Sequence, residues 1–266
     1  MRVGVIGAGG KVGSTICRAV LEHPSLELVA AVDPRLAGID LGQLLGKEAV
    51  GLIVARDVRA LIDARAEVAI DFTQARAAAS NLVRLGEAGV AAVVGTTGLS
   101  EEQLEAIAAA YGRSGAGCVV ASNFSIGAIL LMRAAALVAP YFDSIEIVET
   151  HHEHKLDAPS GTALELARRI MEARAARESA RLVEGATELV RLEGARGATL
   201  EDGLHIHSVR LRGAVAHHEV VFGAEGQTLS LRHDSFDRAS FVPGVMLAVE
   251  RVREVRGLVR GIEGFL

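Results

Sequence analysis

The stretch HHEHKLDAPSGTA brings His151, His152, His154 and Lys155 within five residues and follows them with a Pro-Ser-Gly-Thr turn. Three readings are open: a metal site, an acid–base site, or a polar loop that is rich in histidine. Metal is the least favoured. Adjacent histidines point apart in an extended segment, no cysteine is near, and there is no helical His-x-x-x-His pair. In the acid–base reading, a histidine donates a proton near neutral pH. Lysine supplies a cation for a carboxylate, or a proton if its pKa is lowered. Ser160, Gly161 and Thr162 add hydroxyls and backbone N–H groups. Thr162 and Glu165 have capping-box spacing, which predicts a helix starting just after Thr162 and an anion site at its start.

A second set of residues fits a dinucleotide. VGVIGAGGKVG carries Gly7, Gly10 and Gly13 between an apolar run and a helix-like run. Glycine there allows a tight turn and close backbone approach to a pyrophosphate, which the helix N-terminus then binds. Asp33 ends the second apolar run, about 20 residues after the last of these glycines, where an acid binds the adenosine ribose. Arg35 complicates the choice between cofactors, because a nearby arginine accommodates a 2′-phosphate. NADH is therefore expected to work, and NADPH is an open possibility. DFT (Asp71 to Thr73) and GTTG (Gly95 to Gly98) end two later runs, on the side where open parallel sheets bind ligands.

The elements that must position these residues follow from patterning. RVGVI, LELVAAVD, EVAIDF, AAVVGT and CVVAS read as strands separated by amphipathic helices, the first from about Lys11, another capped by Ser100 and Gln103. Continuous apolar strands alternating with helices predict an α/β, Rossmann-type, doubly wound parallel sheet. After about Ser122 the pattern changes. GAILLMRAAALVA reads as a helix, SIEIVET as a strand, and GLHIHSVRL, AHHEVVFG and QTLSLRHD as hairpin-linked strands. This predicts a second, α+β domain with a mixed open sheet. The segment from about Glu178 to Gly203 reads as loop-rich, and the tail from Ser240 as helical.

Composition narrows the function classes. The chain has 266 residues, 50% of them hydrophobic, which suits one or two globular domains with a sizeable core. Aromatics are 3% and the net charge is −5, which argues against nucleic-acid binding. The longest apolar run, IGAILLM, is too short for a membrane span. The N-terminal run is too short and too glycine-rich for a signal peptide. Cys17 and Cys118 make no disulfide framework, so a cytoplasmic setting is expected; both read as small core residues. His205, His217, His218 and His233 read as mostly structural, whereas His207 and Arg210 of IHSVR could face the site.

ETHHEHKLDAPSGTA resembles the signature of the bacterial dihydrodipicolinate reductases, also called 4-hydroxy-tetrahydrodipicolinate reductases. The resemblance extends to VGVIGAGGKVG, DFT, GTTG, SNFSIG, IHSVR, the run from Phe222 to His233, and Ser240 to Gly244. The histidine–lysine signature is highly specific, whereas the glycine fingerprint is shared with many families. One departure is Ala121-Ser122, where family members often have Ala-Pro or Gly-Pro before NFS. The resemblance implies reduction of a cyclic imine dicarboxylate by NADH or NADPH, with loss of water and hydride addition at ring C4, in the diaminopimelate route of lysine biosynthesis. His151 is then the general acid and Lys155 its catalytic partner and a substrate contact. His152 also contacts substrate, and Ser160, Gly161 and Thr162 hold a carboxylate. Cofactor contacts are expected from Gly7, Gly10, Lys11, Val12, Gly13, Asp33, Arg35, Phe72, Gly95, Thr96, Thr97, Ser122, Asn123 and Phe124. Residues 1–124 and 238–266 are expected to bind the dinucleotide, and residues 125–237 to bind substrate and form a homotetramer. The residues themselves leave open another two-domain NAD(P)-dependent dehydrogenase acting on an amino or hydroxy acid.

Overall fold

A computed structural model describes residues 1–183, 187 and 189–266. It divides into two compact units, Met1–Ser125 with Arg238–Leu266, and Ile126–Asp237. Residues 184–186 and 188 of the segment read as loop-rich lie outside the described residues. Among the described residues no helix is long and apolar enough to cross a membrane.

In the first unit the chain runs β1 (Arg2–Ile6), α1 (Lys11–Glu22), β2 (Glu27–Val32), α2 (Leu41–Leu44), α3 (Arg59–Asp63), β3 (Val68–Asp71), α4 (Ala75–Glu87), β4 (Ala91–Val94), α5 (Glu101–Ser114) and β5 (Gly117–Val120). Every residue of β3 and β4 is buried, as expected of strands covered on both faces. With few rings available, the core is Val, Ala, Ile and Leu, for example Val3, Val5, Ile16, Val20, Leu82 and Ile107. The capping box on α5 is reciprocal: the Gln103 amide donates to Ser100 Oγ at 3.2 Å, and the Ser100 amide donates to Gln103 Oε1 at 2.9 Å.

After the second unit, described next, the chain returns to the first as α8 (Val242–Arg251) and β11 (Gly257–Arg260). The tail is therefore not all helix. Strand β11 lies parallel to β5 from Gly257 opposite Gly117 to Arg260 opposite Val120. A four-residue edge strand is too short to show a period of two, and its partner is remote in sequence. The sheet order is β11-β5-β4-β3-β1-β2, all parallel. The chain leaves β1 for β2 on one side and returns to β3 on the other. The reversal point lies beyond the carboxyl ends of β1 and β3, where such sheets bind ligands.

The second unit contains α6 (Ile126–Val138), β6 (Ser144–His151), α7 (Gly161–Ala176), β7 (Ala198–Thr199), β8 (His205–Arg210), β9 (Ala216–Ala224) and β10 (Gln227–Ser235). The sheet order is β10-β9-β6-β8-β7, mixed because β6 and β8 are parallel. Strand β6 alternates strictly, with Ile145, Ile147, Glu149 and His151 on its buried face. Ile145 and Ile147 pack with Leu166 and Ile170 of α7, Met132 of α6, and Val220 and Phe222 of β9. The same face therefore ends in a buried carboxylate and a buried imidazole, at the point where α7 begins.

Candidate active site

The dinucleotide half is built on backbone. Gly7 has φ +83°, a left-handed turn that favours glycine. A Cβ on Gly13 would lie 2.0 Å from the Gly7 carbonyl oxygen, so α1 packs directly on the turn. Gly10 caps α1 without a side-chain bond, leaving the first-turn amides of Lys11, Val12 and Gly13 to meet an anion. Gly7, Gly10, Asp33, Arg35 and Phe72 line one cavity of about 420 Å³, joined by Thr73 of the DFT run and by Gln74, which no motif marked. Asp33 is buried, and its carboxylate accepts from the Gly9 amide at 3.2 Å and the Arg35 amide at 3.1 Å. The Arg35 side chain is 82% exposed, with Nε 3.6 Å from Asp33. A buried acid with an exposed guanidinium beside it suits a ribose and leaves room for a 2′-phosphate. The glycine turn, the uncapped helix start and the acid together fit a dinucleotide.

Asp71 ties together two of the loops at this end. Its Oδ1 accepts from the Thr73 amide at 3.1 Å and from the hydroxyls of Thr73 and Thr96, both at 2.7 Å. The Thr73 amide also donates to Thr96 Oγ1 at 2.7 Å. Burial pushes the Asp71 carboxyl up, against the pull of these donors. Gly95 is pressed against the Phe72 ring, which packs on Phe124 at 5.8 Å. Asn123 Oδ1 accepts from the Ser125 amide. Thr97 and Ser122 are exposed and, like Lys11, do not line the cavity.

In the second unit His151 is buried, and its Nδ1 is bonded to Glu149 Oε2. Glu149 also receives Arg210 in a two-pronged pair, with Nη1 to Oε2 and Nη2 to Oε1 both 2.9 Å. Burial pushes this carboxyl up, but the bonds from Arg210, Ser208 and His151 outweigh it and hold the group at about 2. For His151 burial acts downward, Glu149 acts upward, and Lys155 and Arg210 add to the downward side. The result lies below the ordinary histidine value.

The helix start differs from the expectation. Ser160 caps α7, and Thr162 lies inside its first turn. Ser160 Oγ accepts from the Ala163 amide at 3.1 Å, while Glu165 is held by Arg168 and Arg169 instead of closing a capping box. Both polar groups of Ser160 are engaged: its amide donates to Glu149 Oε1 at 3.1 Å, and its hydroxyl lies 3.2 Å from His218 Nε2. The amides of Gly161 and Thr162, together with the Thr162 hydroxyl, are what the turn offers to an anion. Lys155 Nζ donates to both oxygens of Asp157, at 2.8 and 3.1 Å. His152 is half-buried, and the His154 side chain is 85% exposed.

His207 and Arg210 part company. Arg210 reaches Glu149, but His207 is one residue out of phase on β8 and bonds Glu146 at 2.6 Å on the other face of the sheet. Glu149 was not singled out from the sequence, and His218 was read only as structural. Their roles depend on which strands lie side by side, which no local signal encodes.

His218 is 4% exposed and edge-on to His151, with ring centroids 5.2 Å apart. Burial, then the neighbouring His151, pushes it down from 6.5 to about 4. The folded ring therefore stays neutral beside the Ser160 hydroxyl. As pH falls, the unfolded chain takes up this proton first. Stability is complete above 6.5 and declines until pH 4, by about 3 kcal/mol from this group. Denaturant unfolding at pH 7 and pH 5 should show a clear loss for the wild type and a smaller one for His218→Gln. Parallel losses in both proteins would contradict this.

Comparison with known proteins agrees along the whole chain. A family model described as dihydrodipicolinate reductase, N-terminus, matches residues 1–124, and one described as dihydrodipicolinate reductase, C-terminus, matches residues 127–266. The 4-hydroxy-tetrahydrodipicolinate reductase of Moorella thermoacetica is 46% identical over 267 residues, covering 100% of this chain and 98% of that protein. The enzyme of the same name from Desulfitobacterium hafniense is 43% identical over 269 residues, with 100% and 98% covered. The dipicolinate-bound dihydrodipicolinate reductase from Paenisporosarcina sp. TG-14 superposes with a TM-score of 0.85 at 39% identity, covering 100% of this chain and 99% of that one.

Proposed function

The chain belongs to the dihydrodipicolinate reductase family, and from that premise we propose how its own residues carry out the family's reaction. It is an NAD(P)H-dependent oxidoreductase that reduces 4-hydroxy-tetrahydrodipicolinate to tetrahydrodipicolinate, a step toward diaminopimelate and lysine. The observation that carries the assignment of roles is the buried His151, bonded to Glu149 at the end of the core face of β6 and beside the start of α7.

The first unit is the dinucleotide-binding domain. The first-turn amides of α1 take the pyrophosphate, and Asp33 takes the adenosine ribose. Phe72, Gly95, Thr96, Thr97, Ser122, Asn123 and Phe124 lie toward the nicotinamide end. Bound NADH or NADPH supplies the hydride that adds at ring C4 once water has left. In the second unit the amides of Gly161 and Thr162 bind one substrate carboxylate, with Ser160 holding the turn in shape. The other carboxylate competes with Asp157 for the Lys155 ammonium, and His152 contacts the ring.

His151 then gives its Nε2 proton to the ring system as negative charge accumulates there. Burial holds His151 below its ordinary value. Two substrate carboxylates reverse that balance, so binding itself charges the acid.

Further support for the assembly and its setting comes from two features. The second unit's sheet carries Val148, Val209 and Val221 on the face away from its core, a surface suited to subunit pairing in a homotetramer. Cys17 and Cys118 are both buried and free, as suits the reducing cytoplasm.

Steady-state kinetics with both cofactors test the cofactor assignment. Both should be oxidised, and Arg35→Ala should lower kcat/KM for NADPH by about tenfold or more while changing NADH little. An equal effect on both cofactors would remove Arg35 from 2′-phosphate binding.

A further inference from the structure

We propose that Glu149, held by Arg210, is the positioning residue that fixes His151 with its proton on Nδ1, so that Nε2 is the atom that delivers a proton, and that this same carboxylate ties the acid to the carboxylate-binding turn. The delivery step rests on the reading of His151 as the acid; the geometry of the ring does not.

Glu149 is fully buried, and besides Ser208 four donors reach its two oxygens. Oε2 takes His151 Nδ1 and Arg210 Nη1; Oε1 takes Arg210 Nη2 at 2.9 Å and the Ser160 amide at 3.1 Å. One carboxylate thus joins both ends of the ETHHEHKLDAPSGTA stretch to Arg210 of IHSVR, 61 residues further along the chain. Register makes this possible. His151 and Arg210 are paired across parallel β6 and β8, and Glu149 sits two residues back on the same face. Arg210 also donates through Nη2 to the Asp157 carbonyl at 2.7 Å, which pins the loop between Lys155 and Ser160.

The chemistry follows from what these groups can donate. An ionised carboxylate only accepts, so His151 Nδ1 must carry hydrogen in both its neutral and its charged forms. Arginine stays protonated and occupies both oxygens, so Glu149 remains ionised and does not take the proton itself. Its carboxyl, held at about 2, agrees with this. The proton therefore leaves only through Nε2. The charged and titratable groups facing the ring are Glu149 on β6, Arg210 on β8, His218 on β9 and Lys155 in the loop, the last paired with Asp157. Glu149 favours the imidazolium, whereas Arg210 and Lys155 oppose it. Removing Glu149 and removing Arg210 must then move His151 in opposite directions. A role limited to packing produces no such opposition.

The test is ¹⁵N NMR of the histidine rings in the full-length protein without ligands, with steady-state kinetics alongside. Neutral wild-type His151 should be the Nδ1–H tautomer. Glu149→Gln should weaken His151 protonation by about tenfold or more, Arg210→Met should strengthen it, and Glu149→Gln should lower kcat by about 100-fold or more. An Nε2–H tautomer in the wild type, or shifts of the same sign in the two variants, would overturn the proposal. The tautomer is read on the wild type, so an unstable variant does not remove the test. If His151→Gln retained full activity while the tautomer stood, the acid assignment would fail and the positioning geometry would survive.

Discussion

Replacing His151 with glutamine is expected to lower kcat by about 10³-fold while NADH binds as tightly as before. Glutamine keeps a similar reach and a donor toward Glu149, but it has no proton to give near neutral pH. The cofactor contacts all lie in the other unit, on the glycine turn, Asp33 and the ends of β3, β4 and β5. The loss should therefore fall on kcat, with NADH affinity by fluorescence titration unchanged. A kcat within about twofold of the wild type would remove His151 from the chemistry.

Gly13→Ala is expected to cost both cofactor affinity and stability heavily. The added Cβ would stand 2.0 Å from the Gly7 oxygen and 2.8 Å from its carbonyl carbon. Both are backbone atoms in a turn already committed to positive φ, so no side chain can swing aside. Helix α1 must move off β1, and its first-turn amides move with it. NADH affinity should fall by about 100-fold or more, with a stability loss of about 3 kcal/mol. Fluorescence titration and chemical unfolding measure the two effects. Unchanged affinity would mean that the pyrophosphate is not held at this turn.

What could be read from the sequence was whatever is local. The glycine fingerprint, the Ser100–Gln103 cap and the alternation of β6 each act within a few residues, and each stands in the structure. The density of histidine at residues 151–154 drew attention to the stretch, but of its three rings His151 alone is buried. His154 is on the surface. The buried ring beside His151 is His218, brought there by β6 and β9 pairing. Glu149 looked like one more polar residue until the register of β8 put Arg210 beside it. His207 failed for the same reason in reverse, since a strand's parity decides which face a residue serves. Ser160 and Thr162 are both plausible caps by type. The choice fell to Ser160 because its amide has Glu149 to bond and its hydroxyl has His218. The edge strand β11 offered only four residues of signal.

The most direct measurement is oxidation of NADH and NADPH by the purified, folded protein supplied with enzymatically generated 4-hydroxy-tetrahydrodipicolinate, set beside a panel of amino and hydroxy acids. The account predicts rapid oxidation, one cofactor per substrate consumed, with the cyclic dicarboxylate and none with the panel. A folded protein that binds NADH yet leaves it unoxidised with that substrate, or oxidises it faster with a panel member, would contradict it.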